Sequence, residues 1–150
     1  MQKLNDKVKN YCMQYVETRI AEYQQEYNAL KDATNQETKS SMGDKYETGR
    51  SMAQQEVDKI GARIAEANKM KNALKGLPKG NTSQIKSGAL IKTNIGLFYI
   101  AISLGKVVID QQKIMVISPA SPVAQKMLNK KEGDQFEING GAVKIEQIIL

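Results

Sequence analysis

The sequence contains no histidine and no tryptophan, and it has a single cysteine, Cys12, in 150 residues. Without histidine there is no Ser–His or Cys–His nucleophile pair and no imidazole ligand for zinc. One cysteine cannot form an intramolecular disulfide, which fits a reducing compartment. Phosphate-binding loops of the Walker or dinucleotide type are also missing. These absences argue against a self-sufficient enzyme of the common classes.

Long apolar runs are missing as well. No stretch approaches the ~18 apolar residues that a membrane-spanning helix needs, and no signal-peptide segment follows Met1. We therefore expect a cytoplasmic protein with no membrane partner. The formal net charge of +6 is a mild basic excess. Because the sequence has no long run of like charges, sequence-specific DNA binding is not expected.

Two amphipathic helical patterns occupy the first half of the chain. Apolar side chains recur every three or four residues from Leu4 to Leu30 and again from Tyr46 to Leu74, which is the spacing of one helix face. Residues 33–43 between them are turn and capping types, and Gly76 and Pro78 end the second pattern. The sequence thus predicts an antiparallel coiled-coil hairpin over residues 1–77, with its turn near residues 34–47.

Residues 78–150 show the two-residue period of β-strands. The predicted strands cover residues 89–93, 96–102, 107–109, 114–117, 135–139 and 143–149. Ser121 and Pro122 suit the N-cap and the first position of a short helix that runs to Leu128. The predicted fold class is therefore α+β, a helical hairpin followed by a small antiparallel β domain with one short helix.

One segment of the β domain resembles the Gre family of bacterial transcript-cleavage factors. Ser121-Pro122-Val123-Ala124 is followed by Met127-Leu128-Asn129-Lys130-Lys131-Glu132-Gly133-Asp134, which is similar to the family's Ser-Pro, short helix ending in Leu, and Gly-Asp. Asn129 stands where the family tends to have Gly, and both residues tolerate a left-handed backbone. The resemblance implies a coiled-coil hairpin followed by an FKBP-like C-terminal domain.

The predicted hairpin tip carries a second part of the resemblance. Gly43-Asp44-Lys45-Tyr46-Glu47 has the Gly-Asp-x-x-Glu spacing of Gre factors. The resemblance implies that the hairpin enters the secondary channel of RNA polymerase, where Asp44 and Glu47 help hold Mg²⁺ and promote cleavage of the RNA 3′ end in a backtracked complex. Carboxylates are ligands that Mg²⁺ prefers. No cofactor is expected on the protein alone, which would stimulate the polymerase's own chemistry.

The tip has other interpretations that stay open. Asp44 and Glu47 also fit a capping-box-like helix start, where acidic residues are favoured anyway. The family commonly has Leu-Ser between the two acids and Asn after the second, whereas this chain has Lys45, Tyr46 and Thr48. The alternative function is a non-catalytic coiled-coil regulator that occupies the polymerase channel.

A small basic cluster, Lys126, Lys130 and Lys131, lies beside the Ser-Pro helix. It is a candidate surface for binding an acidic face of RNA polymerase, or it is an ordinary solvated turn. Prolyl isomerase activity is suggested only by the FKBP-like domain. The C-terminal half has too few aromatic residues for such a pocket, which argues against this third function.

Overall fold

The computed structural model describes residues 2–40, 44–80 and 83–150, with side chains described for residues 3–33, 51–80 and 83–150. The chain divides into two compact units. The helical unit is Tyr15–Lys71, and the β unit combines Met1–Gln14 with Asn72–Leu150. The domain boundary predicted at residues 77 and 78 follows the change from helix to strand and stays a prediction.

Two long helices provide the first half of the chain, α1 at Gln2–Ser40 and α2 at Asp44–Lys75. The predicted turn was too long, since α1 continues through most of the segment from Ala33 to Gly43. Polar side chains such as threonine, asparagine and serine lower helix propensity only slightly, and this segment has no proline or glycine before residue 43. The polar composition therefore marks the end of a helix rather than a break in it.

In the helical unit, α1 and α2 lie antiparallel. Lys71 Nζ is 3.9 Å from Glu17 Oε1, and Gly61 lies against the ring of Tyr27. Moving ten residues up α1, from Glu17 to Tyr27, moves the partner ten residues down α2, from Lys71 to Gly61. This opposite direction confirms the predicted pairing.

The predicted apolar stripes form the seam of the pair. On α2 the side chains of Val57, Ile60 and Ala67 are buried, and those of Ala53 and Ile64 are half-buried. The neighbouring positions outside the stripe are mostly exposed. Because each helix buries only one narrow face, the pair has a thin seam rather than a thick core.

The β unit contains six strands in the order β3-β4-β2-β1-β6-β5. They are β1 Leu90–Thr93, β2 Gly96–Ile100, β3 Gly105–Ile109, β4 Gln112–Ile117, β5 Gln135–Ile138 and β6 Gly141–Ile149, with α3 at Pro122–Met127. Asp110 and Gln111 have φ angles of 52° and 65°, as a two-residue hairpin turn between β3 and β4 requires. The predicted α+β class is confirmed.

One strand pair differs from the predicted antiparallel sheet. Strands β2 and β4 pair in parallel, with Leu97 opposite Ile114 and Ile100 opposite Ile117. Strand β3 turns back into β4, which places β4 between β3 and β2. Period-two spacing identifies strands but not their neighbours, so this crossover was not visible in the sequence.

The core of the β unit lies between the sheet and α3. It contains Ile91 and Ile100 from the central strands, Ala124 and Met127 from α3, and Val143 and Ile145 from β6. In the described part of the chain, no helix is both long and apolar enough to cross a membrane.

Candidate functional site

The two tip acids lie at the start of α2. The helix begins at Asp44, so Asp44 and Glu47 share its first turn, and residues three apart are neighbours on a helix surface. Their side chains lie outside the described residues, and their proposed roles stay predictions. Two carboxylates are suitable oxygen donors for Mg²⁺, but they supply fewer ligands than its octahedral shell needs. Other ligands would have to come from water or from a partner.

Elsewhere, the described residues hold no comparable metal cluster. Among the side chains of residues 3–33, 51–80 and 83–150, no group of three His, Cys, Asp or Glu residues is placed to hold a metal ion. The only cysteine, Cys12, is buried, and desolvation raises the pKa of its thiol to about 11. The thiol is therefore protonated near neutral pH and unsuited to nucleophilic attack or metal binding.

Two tyrosine rings of α1 are covered by cations of the same helix. The guanidinium carbon of Arg19 lies 5.1 Å from the ring centre of Tyr15, and Lys31 Nζ lies 5.4 Å from that of Tyr27. The hydrogen bond that Arg19 donates to the Tyr15 side chain is the main cause that raises the pKa of Arg19, so this guanidinium stays charged. These contacts are cation–π interactions of the helix itself, and they compete with stacking on nucleic-acid bases.

The Ser-Pro segment starts α3 as predicted. The hydroxyl of Ser121 accepts a hydrogen bond from the Ala124 N–H at 3.2 Å, and Pro122 occupies the first turn. Proline suits this position because its missing N–H would have no helical partner there. The Gln125 amide donates to the Pro119 carbonyl at 2.6 Å. The segment thus forms a defined corner between β4 and α3.

The segment after α3, which ends the Ser-Pro to Gly-Asp motif, is held to the rest of the β unit by backbone hydrogen bonds. Asn129 has a φ of 70°, and Gly133 one of 91°, so both take a left-handed backbone conformation, which asparagine and glycine tolerate. The Asn129 N–H donates to the Ile85 carbonyl at 2.8 Å, and the Gly133 N–H donates to the Ile145 carbonyl at 2.7 Å. The motif residues therefore have a structural role in tying the loop after α3 to the rest of the β unit.

The three lysines of the predicted partner surface have different surroundings. Lys126 is the last-turn cation of α3, and its ammonium donates to the Glu137 carbonyl at 2.8 Å. Lys130 and Lys131 follow in the loop before β5, and the Lys131 N–H donates to Asp134 Oδ2 at 2.8 Å. Asp134 reduces the positive charge of this loop. The partner-binding role of Lys126, Lys130 and Lys131 stays a prediction.

The sequence analysis did not single out two buried polar side chains of the β unit, those of Asn5 and Tyr99. Asn5 is 6% exposed, and its amide donates to the carbonyls of Gly88 at 3.1 Å and Ile149 at 2.8 Å. Tyr99 is fully buried, and its hydroxyl has no hydrogen-bond partner among the described residues. The signal for Asn5 was its position, three residues before Val8 in the apolar stripe of α1, where a polar side chain needs buried partners.

Two solved structures are similar to this chain, both at low sequence identity. GreA factor homolog 1 of Thermus thermophilus is 18% identical, with 91% of this chain and 93% of that chain covered and a TM-score of 0.37. A structure of the transcription factor Gfh1 is 19% identical over 91% and 92% of the two chains, with a TM-score of 0.36. No protein-family model and no curated protein matches the chain.

Proposed function

We propose that this chain is a Gre-like transcription elongation factor, which binds RNA polymerase and stimulates cleavage of backtracked transcripts through Asp44 and Glu47. The observation that supports the proposal is the position of the tip motif. Helix α1 ends at Ser40 and α2 begins at Asp44, so both acids lie at the turn-bearing end of an antiparallel helix pair. From Tyr15 to that turn, α1 rises by roughly 40 Å at about 1.5 Å per residue.

The helical unit suits insertion into a narrow channel. Two helices side by side are roughly 20 Å across, since one helix with its side chains is about 10–12 Å wide. Lys71 and Glu17 pair at one level of the seam, and Tyr27 packs on Gly61 at another. A pair held together along its length can present its end to a buried site while the rest of its surface stays polar.

The chemistry of the tip follows from its oxygen donors. Mg²⁺ bound in the polymerase complex would supply Lewis-acid activation of water. The proposed contribution of this chain is to hold and orient the ion: Asp44 and Glu47 lie three residues apart in the first turn of α2, where acidic residues are favoured. The same acids can cap α2 in the free protein and bind the ion in the complex.

The test is RNA cleavage in a stalled, backtracked elongation complex with 3′-labelled RNA and Mg²⁺. We expect the natural chain to shorten the RNA only when polymerase is present. Asp44→Asn and Glu47→Gln should each lower the rate at least roughly tenfold and raise the Mg²⁺ concentration needed for half the effect, because each loses a charged ligand. Unchanged cleavage by the double variant would contradict the assignment of these residues.

The matched controls are acids on the body of α2. Asp58→Asn and Glu66→Gln remove the same charge from exposed positions of that helix. Both should cleave at the natural rate. Circular dichroism of every variant should show the same helix content, which separates a lost ligand from a lost helix cap.

The alternative is a non-catalytic regulator that occupies the channel. It is favoured by Lys45, Tyr46 and Thr48, which replace the Leu-Ser and Asn that the Gre family commonly has around its acids. In that case RNA would not be shortened, but the protein would compete with a known channel-binding cleavage factor. Competition that survives Asp44→Asn and Glu47→Gln would support this second function.

Docking on the polymerase would use the β unit. Lys130 and Lys131 are consecutive residues of the segment that follows α3. Reversing one charge, Lys131→Glu, should raise the protein concentration needed for half-maximal effect and leave the maximal effect unchanged. Such a factor would work in the cytoplasm, the location that the sequence predicts.

A further inference from the structure

Strand β3 forms one edge of the sheet, since only β4 lies beside it in the strand order. The two-residue turn after β3 makes Ile109 the first residue that is hydrogen-bonded to β4. Because the bonding direction alternates along an antiparallel pair, Val107 also bonds to β4, whereas the backbone groups of Lys106 and Val108 point away from the sheet. Among the described residues, no hydrogen bond uses these outward N–H and C=O groups. We call this outer side of β3 the β3 edge.

The opposite edge of the sheet, strand β5, is partly occupied by the protein itself. Ile138 flanks the two-residue turn to β6, so by the same alternation the backbone of Glu137 points outward. The Lys126 ammonium donates a hydrogen bond to the Glu137 carbonyl at 2.8 Å. At the β3 edge no side chain of the described residues plays this part, and its backbone groups are available to another strand.

The side chains beside the β3 edge alternate between apolar and basic. Val108 is 58% exposed and pairs with Lys113, and Met115 is 41% exposed and pairs with Lys106. Their neighbour Val107 is buried, and successive side chains of a strand point to opposite faces. The four residues therefore share one face of the sheet, where two apolar side chains lie next to two lysines.

The charges of this face favour an acidic partner over a second copy of the chain. Within residues 3–33, 51–80 and 83–150, neither Lys106 nor Lys113 is in an ion pair. Asp110, in the turn after β3, has its carboxylate 2.6 Å from Lys7 Nζ and is already paired. Lysines on an edge strand oppose self-pairing, because a second copy would bring the same charges together. A strand that carries carboxylates gains from those lysines instead.

We propose that the β3 edge binds an extended acidic segment of a partner protein, which adds to the sheet as a further strand. Its backbone bonds to the outward groups of Lys106 and Val108. Its carboxylates lie near Lys106 and Lys113, and an apolar side chain between them packs on Val108 and Met115. In this kind of recognition the backbone bonds provide affinity and the side chains of one face provide selectivity. The site uses neither of the tip acids and does not depend on the proposed action on RNA polymerase.

The experiment is an NMR titration of the full chain with three capped peptides. The acidic probe is acetyl-Thr-Glu-Thr-Val-Thr-Glu-Thr-amide, the basic probe has Lys in place of Glu, and the third is the acidic probe with an N-methylated valine, which cannot donate to β3. The acidic probe should bind saturably with a Kd at or below about 1 mM, the weak affinity expected of a small interface. The other two should bind at least roughly threefold more weakly, since each loses one kind of contact.

The amide signals locate the binding. With the acidic probe, the amide protons of Lys106 and Val108 should move downfield more than those of Val107 and Ile109, which already bond to β4. Absence of saturable binding at millimolar peptide, equal binding of the basic probe, or shifts confined to other strands would overturn the proposal. Shifts of Lys106 and Val108 that follow the concentration of the protein alone would show a second copy at this edge and would overturn the choice of partner.

Variants separate a local effect from one of net charge. Lys106→Glu should weaken binding of the acidic probe about 3- to 10-fold and strengthen that of the basic probe, because a facing charge is reversed. Val108→Thr keeps the branched shape and should weaken the acidic probe about 2- to 4-fold through lost apolar contact. Lys92→Glu makes the same charge change at an exposed position of β1, an interior strand, and should bind as the natural chain does. Equal losses in Lys92→Glu and Lys106→Glu, or none in Lys106→Glu, would contradict the site.

Discussion

The helical unit and the β unit bury their side chains in different ways. In the helical unit the buried apolar side chains on α2 are spaced along one stripe, as with Val57, Ile60 and Ala67. In the β unit, Leu90 and its neighbour Ile91 are both fully buried. Adjacent side chains of a strand point to opposite faces, so β1 is covered on both sides of the sheet. The β unit therefore has a true interior, whereas the helical unit has only a seam.

This difference predicts that the two units contribute unequally to the stability of the protein. Apolar burial contributes about 25 cal/mol per Å² removed from water, so most of the stabilisation should lie in the β unit. The helical unit adds exposed pairs such as Lys59–Glu56 and Arg19–Glu22, and such pairs contribute little each. We infer that the helical unit opens at a lower free energy than the β unit. A lower opening free energy is compatible with the proposed role of the helix pair, which is to present its end to a partner.

The largest expected effect tests that inference directly. Ile91→Ala removes a fully buried side chain of the central strand β1 and should destabilise the β unit by about 3–4 kcal/mol, because the surrounding core cannot close the cavity. Ile64→Ala removes the same atoms from a half-buried position of the α2 seam, and it should cost about 1 kcal/mol. The measurement is native-state hydrogen exchange of amides in β1 and in α2.

Each substitution should act mainly on its own unit. Ile91→Ala should speed exchange in β1, β2 and β6, and Ile64→Ala should speed it in α2. Equal losses from the two substitutions would contradict the comparison, since they would mean that the seam is packed as tightly as the interior of the sheet.

A second, smaller effect concerns the first turns of α1, which belong to the β unit. Asn5→Ala leaves the buried carbonyls of Gly88 and Ile149 without their donor, and it should lower the free energy of unfolding by about 2 kcal/mol. Asn10→Ala changes the same residue type at an exposed position of α1 and should cost almost nothing. Urea denaturation followed by circular dichroism measures both, and equal effects of the two substitutions would show that the buried hydrogen bonds of Asn5 do not stabilise the fold.

The sequence predicts a local feature well when the residue type at that position is favoured there for a single physical reason. Ser121 and Pro122 specify the start of α3, and the apolar spacing specifies the seam of the helix pair. The parallel pairing of β2 with β4 depends on which strands meet, and no spacing encodes that. The partners of Asn5, more than eighty residues away in the chain, were hidden for the same reason. At the tip, Asp44 and Glu47 were found by resemblance, and their chemistry stays a prediction.

The smallest expected effects are those of two Gly→Ala substitutions, which should stabilise the helical unit and destabilise the β unit. Gly61 lies within α2, and a Cβ there would meet Tyr27 Cε2 at 3.8 Å, an ordinary contact. Gly61→Ala should therefore stabilise the helical unit by about 0.5–1 kcal/mol, since alanine loses less backbone entropy in a helix. Gly133 has open space around it but a φ of 91°. Gly133→Ala should destabilise the β unit by about 1–2 kcal/mol through backbone strain. Thermal unfolding of both variants checks the signs, and a loss in Gly61→Ala would mean that Tyr27 and α2 are too closely packed to accept one methyl group.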